Sequence, residues 1–206
     1  MLKLSCLFSF EMNKLLVTSI VVNILLCISK IVVYVITQSS LILTDSFDSL
    51  LNASVLLLNL YNPTFTPLVN YSAIASYRTA FIFVSIDALV KQVPLEEPKI
   101  LLIASCSMVG VGLMLVSAQI LSTKVENQKM IIIATINDNS STVGAIISSS
   151  VCLGTGDGRM SGILDNSLNV CICLIFTIFS IFKIVEFLKK NAVDPIAVEK
   201  ELATLD

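Results

Sequence analysis

The chain has 206 residues, of which 55% are hydrophobic and 14% are charged, and its mean hydropathy is +0.91. A soluble domain carries roughly a quarter of its residues as charged side chains, so this composition predicts a membrane protein embedded in the lipid bilayer. The formal net charge of -2 provides no basic surface, and we expect no nucleic-acid partner. Histidine is absent and no catalytic motif is present. We therefore expect a protein that is not an enzyme and has no cofactor.

Hydrophobic runs of about 20 residues, the length that crosses a bilayer as a helix, occur six times along the chain. Segments rich in Pro, Gly and charged residues separate them. The predicted spans cover residues 15–37, 40–61, 73–90, 99–121, 130–153 and 162–188. The predicted fold is therefore all-α, a six-transmembrane-helix bundle over residues 15–188. It has a cytoplasmic N-terminal tail over 1–14 and a short cytoplasmic C-terminal tail over 189–206, and it lacks a C-terminal cytoplasmic domain.

The distribution of Lys and Arg predicts the orientation of this bundle. An even number of spans puts both termini on one side of the membrane, and the side richer in basic residues is usually cytoplasmic. We expect an integral, multi-pass protein of the plasma membrane or an organelle, with both termini in the cytoplasm. The basic residues assigned to the inner side are Lys3, Lys14, Arg78, Lys124, Lys129, Lys183, Lys189, Lys190 and Lys200, and those assigned to the outer side are Lys91, Lys99 and Arg159.

Two of the predicted spans carry acidic and polar side chains at helical spacing. In the second span Asp45, Asp48 and Asn52 are three and four residues apart, so they follow one face of a helix. In the fifth span Asp138 and Thr142 are four residues apart. A carboxylate within hydrocarbon costs several kcal/mol and needs a partner or a function. We predict a cation site between these two helices, formed by Asp48, Asn52, Asp138 and Thr142, with Asp45 as an accessory acid.

Other polar residues in the spans have structural interpretations. Asn52 and Thr142 taken alone are typical of hydrogen bonds between membrane helices. Lys30, inside the first span, either extends outward to the interface or pairs with a buried carboxylate. Asp165, at the start of the sixth span, is expected to cap that helix. The six cysteines lie in apolar runs and are interpreted as small buried hydrophobic residues.

A family resemblance is carried by residues 30–52, KIVVYVITQSSLILTDSFDSLLN, which resemble the first-to-second helix stretch of the cation diffusion facilitators. In that family a membrane Lys, a Ser-rich turn and an Asp precede a D-S-L-L-D type metal motif, which reads DSLLN over residues 48–52 here. Residues 134–142 are similar to the second metal motif, with Asp138 and Thr142 at the ligand positions. The resemblance implies a transporter that binds a divalent cation, zinc, manganese or iron, between helices two and five and exchanges it for protons.

The chain departs from the family in two respects. Asn52 and Thr142 stand where the family has acids, which halves the negative charge of the ligand set and predicts weaker binding of a divalent ion. The family usually continues into a cytoplasmic domain, whereas residues 189–206 are too few to bury a core. The chain is then a transmembrane-only relative, a truncated isoform or a degenerate member.

Two further expectations concern partners and selectivity. The alternative function is that of a non-transporting membrane protein that serves as an interaction scaffold, and the bundle could form a homodimer through its transmembrane domain. If the protein does move an ion, the oxygen ligands favour manganese over zinc, because zinc sites are built mostly from Cys and His.

Overall fold

The computed structural model describes the backbone of residues 2–61, 66–92, 94–122 and 128–192, and the side chains of residues 17–58, 66–92, 94–113, 115 and 140–190. These residues form six α-helices and no strand, which confirms the all-α prediction. The helices are α1 (Leu2–Thr37), α2 (Ser40–Tyr61), α3 (Thr66–Lys91), α4 (Glu97–Ser122), α5 (Gln128–Thr155) and α6 (Gly158–Ala192).

The apolar runs predict where the helices lie better than where they end. Helix α2 has the predicted bounds, whereas α1 begins at Leu2, within the predicted tail. Helix α3 begins at Thr66 and not at residue 73. Pro67 lies in the first turn of α3, where its missing N–H removes no helical hydrogen bond. Polar first and last turns extend beyond the hydrophobic runs and therefore escape a search for apolar residues.

Four of the helices contain a stretch that is long and apolar enough to cross a membrane, among the described residues. A shorter apolar stretch, Ser140–Thr155, lies in the described part of α5. The four spans are Val17–Thr37, Ser40–Leu58, Thr66–Lys91 and Gly158–Lys190.

The distribution of side chains is the reverse of that in a soluble protein. Large apolar residues cover the outer surface, as with Phe182, which is 70% exposed. Many charged and polar residues lie in the interior beside an apolar core cluster, and Lys30, Asp45, Asp48 and Arg78 are 0% exposed. In water this arrangement would be strongly unfavourable, whereas a lipid environment favours it. The fold is therefore that of a membrane-embedded helical bundle.

Helix α2 is the central helix of this bundle. It contacts α1, α3, α5 and α6. In its membrane-spanning segment 56% of the residues are buried, whereas 33% or fewer are buried in the other three spans. This position explains why the polar residues of α2 meet partners from several helices.

The connections α3–α4 and α5–α6 lie at the same end of the bundle. The amide of Leu95 donates a hydrogen bond of 2.8 Å to the carbonyl oxygen of Gly158. A Cβ atom at Gly158 would lie 2.5 Å from the carbonyl oxygen of Leu95, so only glycine permits this approach. The contact fixes the start of α6 against the loop that precedes α4.

Candidate functional site

The first half of the candidate site is an ion pair between α1 and α2. The Nζ atom of Lys30 lies 2.8 Å from Oδ1 of Asp45, and both side chains are fully buried. Lys30 also donates a hydrogen bond of 2.8 Å to the hydroxyl of Ser49, one turn further along α2. From α5, the hydroxyl of Thr142 donates to the same Oδ1 at 2.7 Å. Of the two interpretations of Lys30, pairing with a buried carboxylate is the one observed.

The second half is an ion pair between α2 and α3. One guanidinium nitrogen of Arg78, Nη2, lies 2.9 and 2.8 Å from the two carboxylate oxygens of Asp48. The other terminal nitrogen donates at 3.0 Å to the hydroxyl of Ser141 on α5, which in turn donates to Asp48 at 3.0 Å. The phenol of Tyr77 donates to Asp48 as well and accepts a hydrogen bond from Arg78 at 3.1 Å. Asp48 is therefore held by α3 and α5 together.

The two carboxylates face different neighbours although they are close in sequence. Asp45 is directed towards α1 and α5, whereas Asp48 is directed towards α3 and α5. The charges of the two cations and the two carboxylates cancel, so the two ion pairs together carry no net charge. Within the described part of the chain, Oδ2 of Asp45 is buried without a hydrogen-bond partner. This oxygen is the acceptor that remains available in the cluster.

The structure brings four of the predicted site residues to the interior of the bundle. Asp45, Asp48, Asn52 and Thr142 are all buried, and Thr142 contacts Asp45. Asp138 lies in α5, but its side chain is outside the described residues. Among the side chains that are described, no group of three or more His, Cys, Asp and Glu could hold a metal ion. From the described side chains, a metal at Asp45 and Asp48 would need oxygen atoms of Asn, Thr or water as further ligands.

Sequence reasoning missed the α3 side of the cluster. The charge distribution places Arg78 at or near the inner side of the membrane, and the structure shows it 0% exposed and paired with Asp48 inside the bundle. Tyr77 and Ser141 were not singled out at all. A signal was present, because Arg78 is a charged residue well within an apolar run, and such a residue calls for an anionic partner.

Asp165 caps a helix other than the one predicted. Helix α6 begins at Gly158, so Asp165 lies two turns inside it and cannot cap it. Its carboxylate accepts hydrogen bonds from the Ser39 hydroxyl at 2.7 Å and from the Ser40 amide and hydroxyl at 2.9 and 3.2 Å. It thereby satisfies the free N–H groups and the positive dipole end of α2. The cap of α6 itself is the exposed Asp157, which accepts from the amide of Arg159 at 2.9 Å.

The cysteines are only partly buried as predicted. Cys27, Cys152 and Cys173 are buried, which confirms their interpretation as interior residues. The prediction is wrong for Cys171, which is exposed among the apolar side chains on the outer face of α6. A position two residues from Cys173 lies on the opposite side of the helix, so one of the two must face outward.

Comparison with known proteins adds no identity: no protein-family model and no curated protein matches the chain.

Proposed function

We propose that the protein is a multi-pass membrane transporter of divalent cations, manganese, zinc or iron, that exchanges them for protons at the polar cluster between α2 and α5. The observation that carries the proposal is the set of fully buried charges, Lys30, Asp45, Asp48 and Arg78. Burying four charged groups is not needed for stability, because apolar residues of similar size pack at least as well. Ionisable residues inside a membrane bundle are typical of ion and proton pathways.

The cluster supplies oxygen ligands from two helices. Carboxylate oxygens come from Asp45 and Asp48 on α2, and hydroxyl oxygens come from Ser141 and Thr142 on α5. Asn52 is buried one turn beyond Asp48. Manganese, iron and magnesium accept such a set together with water. The ligand chemistry therefore favours manganese over zinc as cargo.

Competition for the carboxylates would couple the two fluxes. In the structure Asp45 and Asp48 are neutralised by Lys30 and Arg78. A cation that enters must displace one of these side chains, and a proton that binds a carboxylate weakens its ion pair in the same way. Because cation and proton cannot both be bound to one carboxylate oxygen, the arrival of one promotes the release of the other. This competition is the physical basis of an exchanger.

The proposed topology has six spans with both termini in the cytoplasm. Without Arg78, eight basic residues are assigned to the inner side and three to the outer side. Lys91, Lys99 and Arg159 lie at the α3–α4 and α5–α6 end, and Lys183, Lys189 and Lys190 lie towards the other end of α6. The excess of basic residues on the predicted inner side, which supports the cytoplasmic orientation of both termini, therefore remains.

A second candidate function, an interaction scaffold without transport, is favoured by one observation. Each of the two carboxylates on α2 already has a cationic partner within the chain, so the cluster is complete as a static element that fixes helix register. In this case the buried charges specify the packing of α1, α2, α3 and α5 and bind no cargo.

Ion uptake by purified protein in liposomes separates the two functions. Liposomes with and without protein are exposed to manganese, zinc or ferrous iron while a pH gradient is applied in either direction. A transporter gives uptake that depends on the protein and on the gradient, with manganese taken up at least as fast as zinc. Equal signals in protein-containing and empty liposomes for all three ions would exclude the transporter and leave the scaffold.

A further inference from the structure

One face of α6 is polar along most of the helix. Its members recur every three or four residues, so they share one side of the helix. Apart from Thr177, which is half-buried, they are at most 1% exposed. We call this face the α6 seam, and its residues are Ser161, Asp165, Asn169, Cys173, Thr177 and Ser180.

A chain of hydrogen bonds follows the seam from Asp165 to the central ion pair. Asp165 accepts from Ser40, and the carbonyl of Ser40 accepts from the side-chain amide of Asn169 at 3.2 Å. The thiol of Cys173 donates to the amide oxygen of Asn169 at 3.6 Å. Arg78 donates to the sulfur of Cys173 at 3.9 Å and holds Asp48. Polar atoms thus connect the α1–α2 end of the bundle with Asp48, without an apolar interruption.

The seam continues beyond the ion pair with buried polar atoms that lack partners. Within the described residues, the hydroxyls of Thr177 and Ser180 and the amide nitrogen of Asn70 have no hydrogen bond. The antiparallel register of α3 and α6, fixed by the rings of Tyr71 and Phe179 with centroids 6.2 Å apart, puts Asn70 level with Ser180. The hydroxyl of Ser161, at the other end of the seam, is also without a partner. Buried polar groups of this kind are usually satisfied by water.

We propose that the α6 seam is a water-lined route that leads from the α1–α2 end of the bundle to the ion pair of Arg78 and Asp48. Water molecules in this route would supply hydrogen-bond partners to the buried polar atoms of the seam that lack one within the described residues.

Exchange of thiol protons with deuterium tests the seam directly. Two variants are prepared in nanodiscs, one retaining only Cys173 and the other only Cys171, and the S–H to S–D conversion is followed by infrared spectroscopy after transfer to D₂O. Cys171 is a matched control, because it lies on the same helix two residues away but faces outward among apolar residues. We expect Cys173, although buried, to exchange at least about tenfold faster, since exchange reports access of water to the thiol. Exchange of Cys173 that is no faster than that of Cys171 would overturn the proposal.

A second pair of variants in the Cys173-only protein locates the route. Asn169→Leu puts an apolar side chain of similar size in the seam, and Asn166→Leu changes a buried asparagine outside the seam that donates to the carbonyl of Gly162 in its own helix. Asn169→Leu should slow the exchange of Cys173, whereas Asn166→Leu should not. Equal effects of the two substitutions on the exchange of Cys173 would also contradict a water-lined route along the seam. Because thiol exchange requires no cargo, a hydrated seam in a protein without ion uptake would refute the transport function and leave the water-lined route.

Discussion

Arg78 and Asp48 form a buried ion pair in which one guanidinium nitrogen lies 2.9 and 2.8 Å from the two carboxylate oxygens. The pair joins α3 to α2, and Ser141 connects both partners to α5. Tyr77 and Phe176 lie beside the guanidinium, with ring centroids 5.5 and 5.1 Å from its central carbon. The charge of Arg78 is therefore compensated by a carboxylate and by the faces of two aromatic rings.

Removal of Arg78 alone should destabilise the bundle more than removal of the whole pair. Arg78→Met leaves Asp48 buried without its cation, and we expect a loss of about 3–5 kcal/mol in the free energy of unfolding. Arg78→Met combined with Asp48→Leu removes both charges and should recover most of that loss. Unfolding in mixed detergent micelles measures both variants.

The exposed pair of Lys91 and Asp87 is the control for this comparison. Its side chains are 64% and 61% exposed, so Lys91→Met should change the free energy of unfolding by less than about 1 kcal/mol. A double variant at Arg78 and Asp48 that is as unstable as Arg78→Met would contradict the assignment of the loss to an unpaired charge.

The sequence predicts the helices and one side of the cluster, and the physical reasons for this limit are visible in particular residues. Asp45 and Asp48 attract notice because acids are rare in apolar runs, and their spacing shows that they share a helix face. The partner of each acid depends on which helices are neighbours, and helical spacing carries no such information. Lys30 reaches Asp45 from α1 and Arg78 reaches Asp48 from α3. Asp165 caps α2 across 125 residues of chain, which no local pattern reveals.

A side chain larger than that of alanine at Gly110 on α4 should displace Lys30. A Cβ atom there would lie 3.5 Å from Cε of Lys30, an ordinary contact, so Gly110→Ala should be tolerated. The branched side chain of Gly110→Val would extend further into the same space, and we expect it to cost about 1–3 kcal/mol by displacing the lysine.

Gly112 provides the matched control for this substitution, because no atom of the described residues lies within 4 Å of a Cβ atom at that position. Gly112→Val should leave the unfolding free energy nearly unchanged. The prediction fails if the valine substitutions at the two glycines have equal effects in the same micelle assay.

Asp165 and Asp157 should respond differently to the same substitution. Asp165 is buried and accepts from Ser39 and Ser40 at the start of α2, so Asp165→Asn turns part of an acceptor into a donor and should cost about 1–3 kcal/mol. Asp157 is an exposed cap of α6, and asparagine caps a helix about as well as aspartate, so Asp157→Asn should be nearly neutral.

Thermal inactivation of the detergent-solubilised protein, followed by size-exclusion chromatography, measures the two asparagine variants. A midpoint for Asp165→Asn that equals that of Asp157→Asn would show that the buried carboxylate is not important for the start of α2.

The transport of cations by the charged cluster is tested most directly by manganese uptake into liposomes for variants that neutralise one ion pair at a time. Lys30→Met with Asp45→Asn and Arg78→Met with Asp48→Asn each remove both charges, so neither leaves an unpaired ion that would unfold the protein. Lys91→Met with Asp87→Asn is the matched control at the exposed pair. We predict that the control retains gradient-dependent uptake and that both cluster variants lose it while remaining folded. Uptake at the wild-type rate by either folded cluster variant would contradict the proposed role of that ion pair. Wild-type uptake by both variants would refute the proposed site.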